Sequence, residues 1–278
     1  MKCAWTQLLS VLPQHIRSDV DRLSKDTLQE LRLRLGKPAI LITTKGNYKM
    51  CNSITAEDIH FVVNTASRYS PWSAATASQG YITAPGGHRI GLCGHCVTLD
   101  GEITGIRNVT GVCIRVAREF VGVAEGIPQR GSVLILGPPG SGKTTLLRDM
   151  IRIAGDRDAG SVAVVDERGE LFPDKCNFCS GMHTDILTGC DKKNGVEMVL
   201  RTMGPARIAV DEITAEVDCN ALVRAGWCGV DLMATAHAAN LDDLRSRPVY
   251  RPLLQTDLFK TIVVLKPDKS WKLERMEL

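Results

Sequence analysis

The stretch SVLILGPPGSGKTTLLRDM, residues 132–150, narrows the folds open to this chain more than any other part of it. It opens with four apolar residues, Val133 to Leu136, that read as a buried strand. Gly137, Pro138, Pro139, Gly140, Ser141, Gly142, Lys143 and Thr144 then match G-x-x-x-x-G-K-[ST] at every fixed position, and the run from Thr145 to Met150 continues as a helix. Strand, glycine-rich loop and helix, in that order, form the setting in which this pattern carries chemistry. Gly140 and Gly142 let the backbone wrap closely around an anion with its N–H groups turned inward. The helix start adds unpaired N–H groups and a partial positive charge. Lys143 has the reach to touch the outer phosphates of a nucleoside triphosphate, and the Thr144 hydroxyl suits Mg²⁺. The residues from Gly137 to Thr145 are therefore read as a cradle for ATP with Mg²⁺. A glycine-rich turn that happens to precede a helix is the alternative, and the flanking pattern weighs against it.

A second signal lies downstream. RIAVDE, residues 207–212, is an apolar strand that ends in two acids. After such a loop it reads as the strand whose Asp211 holds Mg²⁺ and whose Glu212 polarises the attacking water. VAVVDE, residues 162–167, repeats the pattern. Only one such pair can hold the metal, so Asp166 and Glu167 are either a second acidic box beside the phosphates or a strand cap with solvated carboxylates. His237, in ATAHAAN, also follows an apolar strand. Its position suits contact with the γ-phosphate or coupling between subunits; a hydrogen-bonded structural histidine is the plainer alternative.

Bulk properties exclude some partners. The net charge is +3 and aromatic residues make up 5%, with no block of Lys or Arg, so no nucleic-acid partner is expected. No apolar run approaches the about 18 residues of a spanning helix, and the N-terminus lacks the core of a signal peptide. The expectation is a cytoplasmic protein whose contact with membranes is peripheral or made through partners. Ten cysteines are many for 278 residues. Where ATP is present thiols stay reduced. Cys93 and Cys96 form one C-x-x-C pair, and Cys176 and Cys179 form another, followed by His183 and Cys190. The latter four either hold zinc or serve as small apolar residues.

The length suggests two domains. Residues 1–120 read as an α+β domain. Val20, Leu23, Leu28, Leu31 and Leu35 recur at helical spacing and predict helix over 1–35, although LRLRLG also fits a strand by alternation. AILITT (39–44) is a strand, KGNY a turn, and Thr55 to Ser70 a capped helix. From Gly80 to Arg118 the runs YITA, HRIGLCGHCVTL, EITGIRN and VCIRVA read as short strands joined by turns. Arg89, Arg107, Arg115 and Arg118 lie among them, as solvated charges or as arginine fingers on a neighbouring subunit's nucleotide. Residues 121–131, rich in glycine, read as a linker and hinge. Residues 132–278 alternate apolar strands with helices: strands at 133–136, 162–165, 207–210, 230–235 and 261–265, helices at 143–154, 191–203, 214–226 and 240–246, and a last strand WKLERM. This predicts a mainly parallel sheet covered on both faces, with the ligand beyond the carboxyl ends of its strands.

The order of glycine-rich loop, acidic box, acidic strand and histidine box resembles the type II/IV secretion ATPases, and within them the stage III sporulation AA branch. HRIGLCG, RNVTGVCIRVARE, GPPGSGKTTLLRD, VVDERGEL, TDILTGCDK, RTMGPARIAVDEI, TAHA and LDDLRSRPV carry the resemblance, over residues 80–265. It implies a RecA-like P-loop NTPase domain preceded by a smaller α+β domain. It implies an ATPase working as a homo-hexameric ring, with integral membrane proteins of a sporulation channel between mother cell and forespore as partners. By the same resemblance Lys143 and Thr144 carry over as Walker A, Asp166 and Glu167 as the Asp box, Asp211 and Glu212 as Walker B and His237 as the His box. Arg107 and Arg115 fall where that family offers arginines to nucleotide. The chain departs from the pattern at Met182-His183, where relatives tend to carry arginine. Two other readings stay open: a RecA-like motor directed by nucleic acid, disfavoured by the charge, and a ring that binds nucleotide without hydrolysing it, disfavoured by the intact Asp211-Glu212 pair.

Overall fold

The computed structural model describes residues 2–67, 80–157, 160–173, 176 and 178–276. Contacts divide the chain into two units, Met1–Glu119 with Pro173–Asn177, and Phe120–Phe172 with Phe178–Leu278.

In the first unit, strand β1 (Lys2–Cys3) is followed by helices α1 (Trp5–Ser10) and α2 (Gln14–Asp21), which bury Leu8, Ile16 and Val20. The Trp5 indole donates to Asp21 at 2.9 Å and ties the start of α1 to the end of α2. The helix expected over residues 1–35 stops there. Beyond α2, Ser24 Oγ closes a turn by accepting from the Asp26 amide. Leu28–Arg34 is strand β2, so the alternation in LRLRL prevails over the helical spacing of its leucines. Leu31 and Leu33 are fully buried while Glu30, Arg32 and Arg34 take the other face, an arrangement that only a period of two allows. Strand β3 (Pro38–Thr43) and strand β4 (Gly46–Ser53) follow; the turn between them is confined to Thr44 and Lys45, and Gly46 already belongs to β4. Helix α3 (Ala56–Ser67) starts from a reciprocal cap in which Thr55 Oγ1 accepts the Asp58 amide and Asp58 accepts the Thr55 amide. The described strands close with β5 (Tyr81–Thr83), β6 (Arg89–Leu99), β7 (Glu102–Arg115) and β8 (Arg118–Glu119). EITGIRN and VCIRVA, expected as separate runs, are one continuous strand, β7. An antiparallel sheet runs β4-β3-β2-β7-β6-β5, and β1 pairs with β8.

The second unit holds β9 (Val133–Leu136), α4 (Lys143–Gly155), β10 (Val162–Asp166), β11 (Thr184–Thr188), α5 (Lys192–Thr202), β12 (Arg207–Ile213), α6 (Glu216–Trp227), β13 (Asp231–Ala236), α7 (Leu241–Ser246), α8 (Arg251–Leu254), β14 (Thr261–Leu265) and β15 (Trp271–Arg275). The sheet order is β11-β10-β12-β13-β9-β14-β15, parallel throughout except for β15. Both faces are covered. Val133, Ile135, Val164 and Ala209 pack with Leu147 and Ile151 of α4, while Leu134, Leu136, Val210 and Leu232 pack with Val199 of α5 and Leu222 of α6. Strand β11 was not legible as a strand because most of it is exposed and its apolar residues are few.

The segment read as a linker is partly core. Ala124 and Ile127 are buried in the cluster that holds α4, and the Ala124 amide donates to the buried Asp149 at 2.8 Å.

Strand β13 lies between β9 and β12. Whatever leaves its carboxyl end therefore stands between the glycine-rich loop and the Asp211-Glu212 pair.

Candidate active site

The carboxyl ends of four parallel strands deliver the candidate residues. The glycine-rich loop leaves β9, His237 follows β13, Asp211 and Glu212 lie near the end of β12, and Asp166 and Glu167 are at the end of β10.

Gly140 and Gly142 take left-handed φ values of 73° and 103°, which L side chains resist, and Gly142 caps α4. A Cβ at Gly137 would lie 2.5 Å from Ser141 Oγ and 3.1 Å from Leu265 Cβ. The loop thus closes on itself only with glycine at that position. Ser141 Oγ is buried at the start of α4 with no hydrogen-bond partner among the described residues. An orphaned polar atom beside a helix N-terminus suits a loop made to receive an anion.

Lys143 is 6% exposed. Its ammonium group donates to Gly137 O at 2.8 Å, to Pro138 O at 3.0 Å and to His237 Nδ1 at 3.0 Å. An ammonium has three N–H bonds, so all are engaged. Burial pushes the Lys143 pKa below the usual lysine value, and the charges of Asp211 and Glu212 oppose that shift.

His237 accepts from Lys143 at Nδ1, so the tautomer consistent with its partners carries hydrogen on Nε2. That nitrogen is 2.9 Å from Glu212 Oε1. One imidazole therefore connects the loop lysine to the second acid of β12. The other carboxylate oxygen of Glu212 faces Arg168 Nη1 at 3.5 Å. Glu212 itself sits at φ 44°, inside a register shift between Val210 and Ile213. This bulge re-aims its side chain, and its displaced amide is satisfied by Thr235 Oγ1 at 2.8 Å. The same Thr235 hydroxyl donates to Asp211 Oδ1 at 2.7 Å.

The second acidic pair is arranged differently. Asp166 is buried, and its two carboxylate oxygens accept the amides of Glu170 and Phe172 at 2.9 Å each. Burial pushes its pKa up, and the backbone amides of Phe172 and Leu171 oppose that shift. Glu167 forms an ion pair with the buried Lys192, the first residue of α5.

Thr144, partly buried, is in the first turn of α4, with Thr145 next to it. Arg107 and Arg115 belong to β7 in the first unit, where Arg107 stands opposite His95 and the largely exposed Arg115 is 3.9 Å from Glu30. Arg89 of that sheet lies over the Tyr81 ring at 3.9 Å. Among the described residues no cysteine is joined in a disulfide. Among the described residues no group of three or more His, Cys, Asp or Glu side chains is placed to hold a metal, and Cys176, Cys179, His183 and Cys190 form none.

Thr235, Arg168 and Lys192 were missed from the sequence. A polar residue inside the apolar run of β13 was the available sign for Thr235, since a buried hydroxyl needs a partner. Arg168 and Lys192 carry no local sign, because their partners come from other strands.

A family model described as sporulation stage III, protein AA, matches residues 4–272. Stage III sporulation protein AA of Bacillus subtilis (strain 168) is 32% identical over 281 residues, covering 95% of this chain and 92% of that protein. The Arabidopsis thaliana protein SEEDLING PLASTID DEVELOPMENT 1 is 27% identical over 261 residues, 88% of this chain and 35% of its own length. Among solved structures, the pilus retraction motor PilT with bound ADP matches with a TM-score of 0.65 at 15% identity, over 98% of this chain and 84% of that one. The Legionella pneumophila ATPase DotB matches with a TM-score of 0.60 at 16% identity, over 89% and 76%. At such identities the likeness is one of fold, the RecA-like fold of the secretion ATPases.

Proposed function

Because this chain belongs to the sporulation stage III protein AA family, we propose that it is an ATP-hydrolysing motor of the secretion-ATPase kind. It works as a homo-hexameric ring on the cytoplasmic side of a membrane. Its partners are integral membrane proteins of the channel between mother cell and forespore, and it does not act on nucleic acid. No helix among the described residues is long and apolar enough to cross a membrane, so contact with the channel falls to partners or to the protein surface.

The residues fit magnesium ATP. Gly137, Pro138, Pro139, Gly140, Ser141, Gly142, Lys143, Thr144 and Thr145 would hold the phosphates, and Thr144 with Asp211 the Mg²⁺. Bound Mg²⁺-ATP supplies an activated phosphoanhydride whose terminal phosphoryl group water can take. The chain's own part is positioning and proton handling. Lys143 exchanges carbonyl and imidazole acceptors for phosphate oxygens. Glu212, held by His237 and by the bulge in β12, accepts a proton from the attacking water. Glu167 and an arginine of the N-terminal domain, Arg107 or Arg115, complete the charge balance.

The observation that carries this reading is the chain Lys143–His237–Glu212. It links the cation of the phosphate cradle to the general base through single hydrogen bonds of 3.0 and 2.9 Å. Light scattering combined with phosphate release, at several protein concentrations with and without ATP, tests it. Activity that rises with a ring-sized species supports the motor; a fully active monomer removes the ring.

A further inference from the structure

The turn between β14 and β15 reaches the glycine-rich loop. Strand β14 is the neighbour of β9, and the two are so close at their exits that a Cβ on Gly137 would lie 3.2 Å from the Leu265 carbonyl oxygen. The turn is well defined. The Lys269 amide donates to Lys266 O at 3.0 Å, and the Lys266 amide donates to Ser270 O at 2.9 Å. Asp268 accepts both the amide and the hydroxyl of Ser270, at 3.0 and 2.6 Å. Lys269 sits at φ 72°, in the left-handed region where a hairpin of this kind ordinarily has glycine or asparagine.

A lysine at that position is unfavourable for the backbone, and its side chain goes to one place. Nζ donates to Gly140 O at 2.6 Å, on the exposed side of the loop. Among the described residues no carboxylate pairs with it, because the adjacent Asp268 is turned to Ser270. Gly140 O and Ser141 N–H share one planar trans peptide and point in opposite directions. A cation that draws the carbonyl outward turns the amide inward. Ser141 N–H does point into the loop, at Pro138 O, 3.2 Å away.

We propose that Lys269 is a positioning residue for phosphate binding, which clasps the Gly140–Ser141 peptide from outside and keeps its N–H turned into the cradle. The inference rests on the nucleotide reading above and adds a residue that lies past the last sequence block resembling the secretion ATPases. Lys143 grips the loop from within and Lys269 from without. The role is confined to binding: the ammonium fixes the loop equally for a triphosphate or a diphosphate and takes no part in proton transfer.

The test is equilibrium titration of the full chain with fluorescent analogues of ATP and ADP, together with nucleotide-free thermal melting and saturation kinetics, for Lys269→Gly and Lys269→Arg. Glycine relieves the left-handed backbone, so Lys269→Gly should melt at the same temperature or higher without nucleotide. It should nevertheless bind both analogues about five- to tenfold more weakly, the scale of one partly solvated charge-assisted hydrogen bond. Its turnover at saturating ATP should stay within about twofold of the unaltered chain. Lys269→Arg keeps a donor and should bind within about twofold. Equal affinity in Lys269→Gly and the unaltered chain overturns the role of Lys269 alone, as does a loss confined to turnover or a lower melting temperature that accounts for the weaker binding. Absence of saturable binding by the unaltered chain overturns the nucleotide reading and this inference together.

Discussion

Thr235 and Asp211 meet at 2.7 Å across neighbouring strands, the hydroxyl donating to the carboxylate while it accepts the amide of Glu212. Valine has nearly the same volume and can do neither. Thr235→Val therefore leaves the Glu212 amide without its partner inside a bulge and frees Asp211 to rotate. The expected cost is about 1–3 kcal/mol of stability, read from urea unfolding. ATP turnover is expected to fall by about tenfold to a hundredfold, the scale of a misplaced catalytic group. A valine variant that loses stability yet turns over normally would reduce Thr235 to packing.

His237 stands between the loop lysine and Glu212, so its removal should separate binding from turnover. In His237→Ala, Lys143 keeps its two carbonyl acceptors, and Glu212 loses the group that orients it. Turnover is expected to fall about tenfold or more, with nucleotide affinity within about threefold of the unaltered chain. Paired measurement of binding and phosphate release checks this. Equal losses in both would mean that His237 serves the phosphates alone.

The first unit carries a pH-sensitive buried group away from the site. His88 is fully buried, accepts the Ala117 amide at Nδ1 and donates from Nε2 to Ala4 O, and burial pushes its pKa below 6.5. The unfolded chain takes up this proton near pH 6.5 and the folded chain only at lower pH. The stability this group contributes is present above 6.5 and is lost as pH falls from there through the lower folded value, by up to about 1.36 kcal/mol per pH unit. Urea unfolding at several values between about pH 7.5 and about pH 5 should show the slope, and His88→Gln should lack His88's share of it.

The segment at 121–131 offers a test of stability. Asp149 is 2% exposed and accepts the Ala124 amide and Arg152 Nε, both at 2.8 Å. Asp149→Ala leaves a buried amide and a largely buried guanidinium short of a partner. A loss of about 2–4 kcal/mol is expected, with new cleavage near Gly126 in limited proteolysis. Unchanged protection of that segment would mean that Ala124 and Ile127 hold it by burial alone.

What the sequence made legible follows from the range of the physics involved. The glycine-rich loop, the acidic end of β12 and the apolar strands are set by neighbours within one element, so spacing reveals them. Lys143 opens the helix after the loop, Glu212 lies near the end of β12 and His237 just after β13, and each carries its own local pattern. That an imidazole joins the other two depends on β13 lying between β9 and β12, a pairing that no local pattern specifies. The cations Arg168 and Lys192 act on residues of other elements and leave no local sign, and the hydroxyl of Thr235 shows only as a polar residue inside an apolar run. Residues 28–35 misled for another reason: leucines at 28, 31 and 35 fit a helix, and alternation within LRLRL fits a strand. The sheet settled the contest by burying Leu31 and Leu33 together. Strand β11 was hidden because an exposed edge strand needs little apolar pattern.

The most direct measurement is phosphate release under saturating Mg²⁺-ATP, with nucleotide binding followed in parallel, for the unaltered chain, Lys143→Ala and Glu212→Gln. The unaltered chain is expected to bind and hydrolyse, Lys143→Ala to bind no nucleotide, and Glu212→Gln to bind normally while turnover drops by about a hundredfold or more. Hydrolysis by Glu212→Gln at the unaltered rate, or nucleotide binding by Lys143→Ala as tight as before, would contradict it.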